Sequence, residues 1–511
     1  MMARLRWVVG PALVALTAAG CGMGGNGQAA GTAAGGGHLV YDEFSAPVAA
    51  WALESDDAQI FSRVGCAETL TRNNADGTLI PWLAESWSRV SPTVWKFTLR
   101  KNVKFQDGTV MDAQAVAGAL NHLLQAKVPA RSFNPKSVSE VQAVDAGTVQ
   151  ITTPAPDVLL PLRTASPNTA ILAPKAYQGA QLNIQGTCTG PFKVVKEVPG
   201  QSLQVVRNDG YWGGKPALAS AEVRFVAAGP TRVTQVRTGE ADISSVVPAV
   251  SVATLQGDSN VKLEKIQSPR TAVMLLNNSR PPFNNPLVRK AVQRALDTSA
   301  IAKSIYHDVA IPAAGPFAPT DPWAAQGAQP ITPSLDDAKS MFAQAGVQPG
   351  SLTFTLVAYT DRPEFADLAA VIQDQLGKLG VKVKIKTGSN AAVQPDLLAG
   401  NFEAALFSRG YLIDAADPLS YLRSDWSCKG TFNIAHYCDP QTDALIDKAA
   451  GTEDANARHQ IEGQIAAKVQ ADAGGVFLVH ESLVTAVRSR VQGFKPDPRN
   501  FFVLTKDLAV R

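Results

Sequence analysis

Long apolar runs, histidine, cysteine and charge of one sign are all scarce in this sequence of 511 residues. Past the N-terminal segment no stretch is long and apolar enough to span a bilayer. The net charge is +3 and no Lys/Arg block tracks along the chain, so nothing points to a nucleic acid partner. The six histidines are scattered. There is no His-Glu-x-x-His, no Gly-x-Ser-x-Gly and no phosphate loop, and no base stands beside a nucleophile. These absences argue against an enzyme, and no catalytic residue, cofactor or resident metal is expected. Internal repeats are also missing. What remains is an ordinary globular balance, 45% hydrophobic and 18% charged, over a length that needs two to four structural units.

The N-terminus departs from that balance. Arg4 and Arg6 precede an apolar stretch from Trp7 to Ala19, which fits the hydrophobic region of a secretory signal. It ends in Ala18-Ala19-Gly20-Cys21, and small residues directly before a cysteine resemble a bacterial lipoprotein cleavage site. Residues 1–20 therefore read as a signal peptide and Cys21 as the lipidated new N-terminus. Residues 21–37 are rich in Gly, Ala, Gln, Asn and Thr, a composition that cannot pack a core and serves as a flexible tether. The expected location is the outer face of the cytoplasmic membrane. Four further cysteines, Cys66, Cys188, Cys428 and Cys438, form an even set in an exported chain and suggest disulfides. Three pairings are possible. Cys428 and Cys438 bracket a short polar loop and make the natural pair, leaving Cys66 with Cys188.

Periodicity gives an α/β body. Thr93 to Arg100 alternates as a half-exposed strand, Gln106-Asp107-Gly108 is a turn, and Asp112 is placed to cap a helix over Ala113 to Leu124. Thr148 to Thr152 and Leu203 to Arg207 read as strands. Helical spacing covers Leu287 to Ile305, Asp336 to Ala345, Phe365 to Leu379 and Leu445 to Val469. Val381 to Ile385 and Gly475 to Val479 read as strands.

Five blocks then carry a resemblance. The first is Gly77-Thr78-Leu79-Ile80-Pro81-Trp82-Leu83-Ala84-Glu85-Ser86-Trp87, continued by Trp95-Lys96-Phe97-Thr98-Leu99-Arg100 and Phe105-Gln106-Asp107-Gly108. The second is Gly190-Pro191-Phe192 with Arg207-Asn208-Asp209-Gly210-Tyr211-Trp212. The third is Gly239-Glu240-Ala241-Asp242-Ile243, the fourth Pro281-Pro282-Phe283 with Val288-Arg289-Lys290-Ala291, and the fifth Asp417-Pro418. Taken alone, these are turn residues and large core fillers. In this order they resemble solute-binding protein family 5, the extracytoplasmic dipeptide-, oligopeptide- and nickel-binding lipoproteins of ABC importers.

The resemblance implies an α/β, two-lobed periplasmic-binding-protein clamp of class II type with an extra subdomain in lobe I. Lobe I is set at residues 38–270 including the subdomain, lobe II at 271–482, and the return to lobe I at 483–511. It also implies a monomer that takes a short peptide in the interlobe cleft and hands it to permease subunits and their ATPase. Closure is a hinge motion whose balance the ligand shifts.

A peptide brings an ammonium and a carboxylate, each costly to bury without an opposite charge. By resemblance to dipeptide- and oligopeptide-binding members, Asp414 takes the ammonium, Tyr411 is the aromatic residue before it, and Phe407, Ser408, Arg409 and Gly410 offer a backbone edge. Arg362 in Tyr359-Thr360-Asp361-Arg362-Pro363 fits either a ligand carboxylate or a surface ion pair. Arg409 is a second anion contact, and Trp426 and Trp51 are candidate aromatic walls, with core packing the competing use. A nickel or other metal chelate, with His436 as a ligand, is the rival cargo. Where nickel binders carry an Arg before their Ala-Pro turn, this chain has Ala170. Oligosaccharide binding and a peptide-sensing role remain open on the same clamp.

Overall fold

The computed structural model describes residues 36–179, 181–413 and 415–511. The signal segment, Cys21 and most of the tether lie outside them, as does Asp414. No helix among the described residues is long and apolar enough to cross a membrane.

Two long strands organise the fold. Val261–Leu276 and Gly475–Arg488 pair antiparallel over most of their length. Their ladder loses register between Gln267 and Thr271, beside the boundary expected near residue 270. Among the described residues they sit inside an eleven-stranded sheet. On one side follow Ala404–Gly410, Thr353–Tyr359 and Lys382–Gly388; on the other follow Ile243–Ser244, His38–Glu43, Ser220–Phe225, Ser202–Arg207 and Phe192–Val198. Ile311–Pro312 pairs off this path with Gly475–Arg488. The parallel pairings, such as Thr353–Tyr359 with Lys382–Gly388, need a crossover, supplied here by the helix Glu364–Gly377.

The buried side chains divide at the same strands. One core runs from Leu39 to Val223 and takes in Val487 to Leu508; the other runs from Ala272 to Val479. A small third cluster, including Val236, Leu255, Val261 and Val484, lies where the two strands begin and end. These two cores are the two lobes of the clamp. The extra subdomain is an antiparallel sheet in the order Ala84–Ser91, Val94–Leu99, Thr148–Thr152, Glu140–Asp145, covered by the helix Ala113–Leu124. Phe97, Val149 and Ile151 are fully buried and join the first core.

Local chemistry explains several of these elements. The Asp112 side chain accepts from the Ala115 amide at 2.9 Å, satisfying one donor at the start of Ala113–Leu124. Along Glu364–Gly377, Leu368, Ala369, Ile372 and Leu376 are all fully buried, one apolar face at helical spacing. The helix expected over Leu287 to Ile305 is two helices, Pro286–Ala295 and Thr298–Ser304, because Asp297 caps the second through the Ala300 amide. The expected Leu445 to Val469 helix is likewise Pro440–Ala450 and Ala455–Ala471, with Asp454 capping the latter.

The disulfides are Cys66–Cys188 and Cys428–Cys438. The first lies on a tight backbone seam. Gly190 donates to the Cys66 carbonyl at 2.9 Å, and Phe192 donates to the Gly65 carbonyl at 3.0 Å. A Cβ on Gly190 would stand 2.4 Å from the Cys66 oxygen, so only glycine fits. The aromatic residues of the first two sequence blocks also find a structural role. Trp82 and Trp212 donate their indole N–H groups to Glu68, each at 2.8 Å, and the Tyr211 hydroxyl donates at 2.6 Å. Burial pushes the Glu68 carboxyl up, and these three donors oppose that shift. The motif therefore holds lobe I together around one buried acid.

Candidate functional site

A cavity of about 1220 Å³ lies between the lobes. Pro154 to Leu159, with Arg131, Lys136 and Arg163, forms the lobe I wall. Arg270, Tyr359, Phe407 to Gly410, Ile413 and Lys429 to Phe432 contribute from the other side. Leu159 crosses over to pack in the lobe II core, and Arg89 of lobe I forms an ion pair with Glu453 of lobe II.

The strand Ala404–Gly410 is positioned by its neighbours. On one side it pairs with Val261–Leu276 along its whole length, from Arg270 opposite Gly410 to Leu276 opposite Ala404. On the other it pairs with Thr353–Tyr359 only at Ala404 and Ala405. Among the described residues, Leu406 to Gly410 therefore keep one edge without a strand partner, and Phe407 to Gly410 line the cavity. The Ser408 carbonyl on this segment accepts from the Arg270 guanidinium at 2.9 Å.

The cations here differ in how far they are neutralised. Arg362 is engaged by Glu481, by Glu364 at 3.0 Å and by the Ser408 hydroxyl at 3.0 Å. Burial works against its charge, but Glu481 and Glu364 outweigh burial and hold it protonated. It is not among the residues lining the cavity. Arg409 lines the cavity, pairs with Asp425 at 2.6 Å and stacks over Phe432, 4.4 Å from the ring centroid. Arg270 is different: its guanidinium hydrogen-bonds to Ser408, and no carboxylate lies within ion-pair distance among the described residues. Burial lowers its pKa, the positive Arg362 and Arg409 lower it further, and Glu481 partly compensates.

The other candidates fall elsewhere. The Tyr411 hydroxyl donates to Asp321, and its ring packs on Phe317 at 5.0 Å, off the cavity. Trp426 is 2% exposed and packs between Tyr437 and Phe477. Trp51 donates to Glu197 at 2.9 Å and packs on Phe61 within lobe I. His436 sits against Gly400, and no histidine lines the cavity among the described residues. Arg270 was not singled out in the sequence. The available signal was an arginine in Ser268-Pro269-Arg270-Thr271, where the chain crosses between lobes.

One cluster among the described residues has metal-ligand composition: Asp417, His459 and Glu462. Arg458 already occupies the cationic place beside it, its Nε and Nη2 each 2.8 Å from Asp417 Oδ2. The cluster is a structural ion pair, with Asp417 also accepting from the Leu419 amide at the start of Leu419–Trp426.

Comparison with known proteins matches these features. Residues 78–433 fit the family model described as bacterial extracellular solute-binding proteins, family 5. Among curated relatives, the nickel-binding protein NikA of Staphylococcus aureus is 24% identical, over 90% of this chain and 92% of its own. The glutathione-binding protein GsiB of Pectobacterium atrosepticum is 28% identical, over 84% and 85%. The crystal structure of a nickel ABC transporter protein from Bacillus halodurans superposes with a TM-score of 0.80 at 28% identity, covering 93% of this chain and all of that one. The family serves transporters rather than catalysis. This chain belongs to the bacterial extracellular solute-binding proteins, family 5, and is the extracytoplasmic substrate-binding component of an ABC importer.

Proposed function

We propose that the protein captures short peptides in its interlobe cleft and delivers them to its permease, tethered to the membrane through a lipid on Cys21. The observation that carries this reading is the open edge of Phe407 to Gly410 on the cavity wall, with the Arg270 guanidinium beside it. A peptide backbone adds to such an edge as an extra strand and gains affinity without side-chain selectivity. Arg270 supplies the counter-charge for its carboxylate. Asp414, outside the described residues, is the proposed anchor for its ammonium. The cavity exceeds the roughly 300–1,000 Å³ usual for a drug-sized ligand, which suits a ligand of several residues. GsiB, named for glutathione, is a relative whose ligand is itself a tripeptide. The nickel-chelate reading has less support, because the described cavity lining offers neither histidine nor cysteine.

Native mass spectrometry of protein purified without refolding tests the proposal. The expected result is retained peptides of a few residues. Their loss is expected in Asp414→Asn and in Arg270→Gln, because truncating one partner of a ligand charge pair costs about 2–5 kcal/mol. A retained metal-bearing molecule, or peptides held equally by both variants, would overturn it.

A further inference from the structure

We propose that the cleft selects ligands of net negative charge, so that among peptides those with acidic side chains are its cargo; this rests on the peptide reading above. The inference comes from accounting for the charge that lines the cavity. Among the described residues the lining carries seven cations and one acid, Asp157. Four of the cations have acids of their own. Arg163 pairs with Asp157 at 2.7 Å, Arg409 with Asp425 at 2.6 Å, Arg423 with Asp447 at 3.1 Å, and Arg131 with Asp56 at 2.6 Å. Three are left with no carboxylate in ion-pair range among the described residues: Lys136, Arg270 and Lys429.

A zwitterionic peptide does not use up this surplus. Its carboxylate takes Arg270, and its ammonium is matched by Asp414. Lys136 and Lys429 still line the cavity with no carboxylate partner among the described residues. They come from opposite walls, Lys136 from lobe I and Lys429 from the loop after Leu419–Trp426. Closing the lobes brings two like charges into one low-dielectric space, which opposes closure unless the ligand carries compensating negative charge. An acidic side chain supplies it, and the same field draws anionic ligands in from solution.

The test is a set of alanine tripeptides with glutamate, alanine or lysine at the middle position, and the non-peptide tricarballylate, titrated calorimetrically into dialysed protein. The glutamate peptide is expected to bind at least about tenfold tighter than the lysine peptide, about 1.4 kcal/mol. That gap is expected to shrink as salt shortens the Debye length from about 30 Å at 0.01 M to about 3 Å at 1 M. It is also expected to collapse in the double variant Lys136→Gln/Lys429→Gln, whose altered side chains are exposed and leave the fold intact. Equal binding of the three peptides, or a preference for lysine, would overturn charge selection and leave the peptide reading standing. Tricarballylate binding with no tripeptide bound would uphold charge selection and overturn the peptide reading. Failure of every probe to bind would overturn both.

Discussion

Asp417→Asn is expected to destabilise the protein by about 3–5 kcal/mol, whereas Glu462→Gln, its immediate neighbour, is expected to stabilise it at neutral and alkaline pH. Asp417 is 1% exposed and Arg458 5% at the side chain, with two contacts of 2.8 Å joining them. Removing the carboxylate leaves a buried guanidinium without a counter-ion, the costly half of a broken pair. Glu462 stands on the same helix, with its Oε1 4.0 Å from Arg458 Nε, and is fully buried. One guanidinium cannot neutralise two carboxylates in that space. Burial pushes the Glu462 carboxyl up, to about 10, and the negative Asp417 beside it adds to the shift. Burial pushes Asp417 up too, but His459 and Arg458 outweigh it and hold that carboxyl below its ordinary range. The direction of both shifts places the pair's one proton on Glu462 and leaves Asp417 charged.

The sign of the pH effect follows. The unfolded chain releases the Glu462 proton near pH 4.3, while the folded chain keeps it. Stability from this group then falls by about 1.4 kcal/mol per pH unit between the unfolded and folded values. Glutamine offers an N–H donor without needing a proton, so that slope disappears. Urea unfolding from pH 5 to 9 should show Glu462→Gln gaining on the parent protein as pH rises. A variant whose difference from the parent stays flat over this range would mean that Glu462 is ionised in the fold.

Much of this architecture was legible in the chain, because much of it is local. Asp112 before an apolar helical run, and the alternation of Thr93 to Arg100, each contain their own explanation within a dozen residues. The breaks at Asp297 and Asp454 were not read, because the apolar spacing continues across both caps and an Asp inside a long periodic stretch resembles a solvated face. The cleft was legible only in part. Phe407 to Gly410 could be placed on its wall by resemblance, but the state of each arginine depends on distant residues. Glu481, which occupies Arg362, is 119 positions away in sequence, and the Ser408 carbonyl that holds Arg270 is 138 away. No local pattern reports such a meeting. The same holds for Glu68, on which Trp82, Tyr211 and Trp212 converge from up to 144 positions off.

Removing the Cys66–Cys188 bond in Cys66→Ser/Cys188→Ser is expected to cost more stability than removing Cys428–Cys438 in the matching double variant. The two bonds close loops of very different length, with sequence separations of 122 and 10. On the chain-entropy account, tying the unfolded chain at these points is worth about 5 kcal/mol for the first and about 3 kcal/mol for the second. Burial reinforces the order, because Cys66 and Cys188 are both fully buried in the lobe I core. The long loop is also the excursion through the extra subdomain. Its ends return to the seam where Gly190 and Phe192 donate to the backbone of Cys66 and Gly65. Without the covalent tie, that seam and the lobe I packing must hold the ends of this excursion against the entropy of more than a hundred intervening residues. Urea unfolding of both double variants at one pH checks the order. A larger loss from the short loop would show that native packing around Cys428 and Cys438, rather than restriction of the unfolded chain, sets the contribution of these bonds.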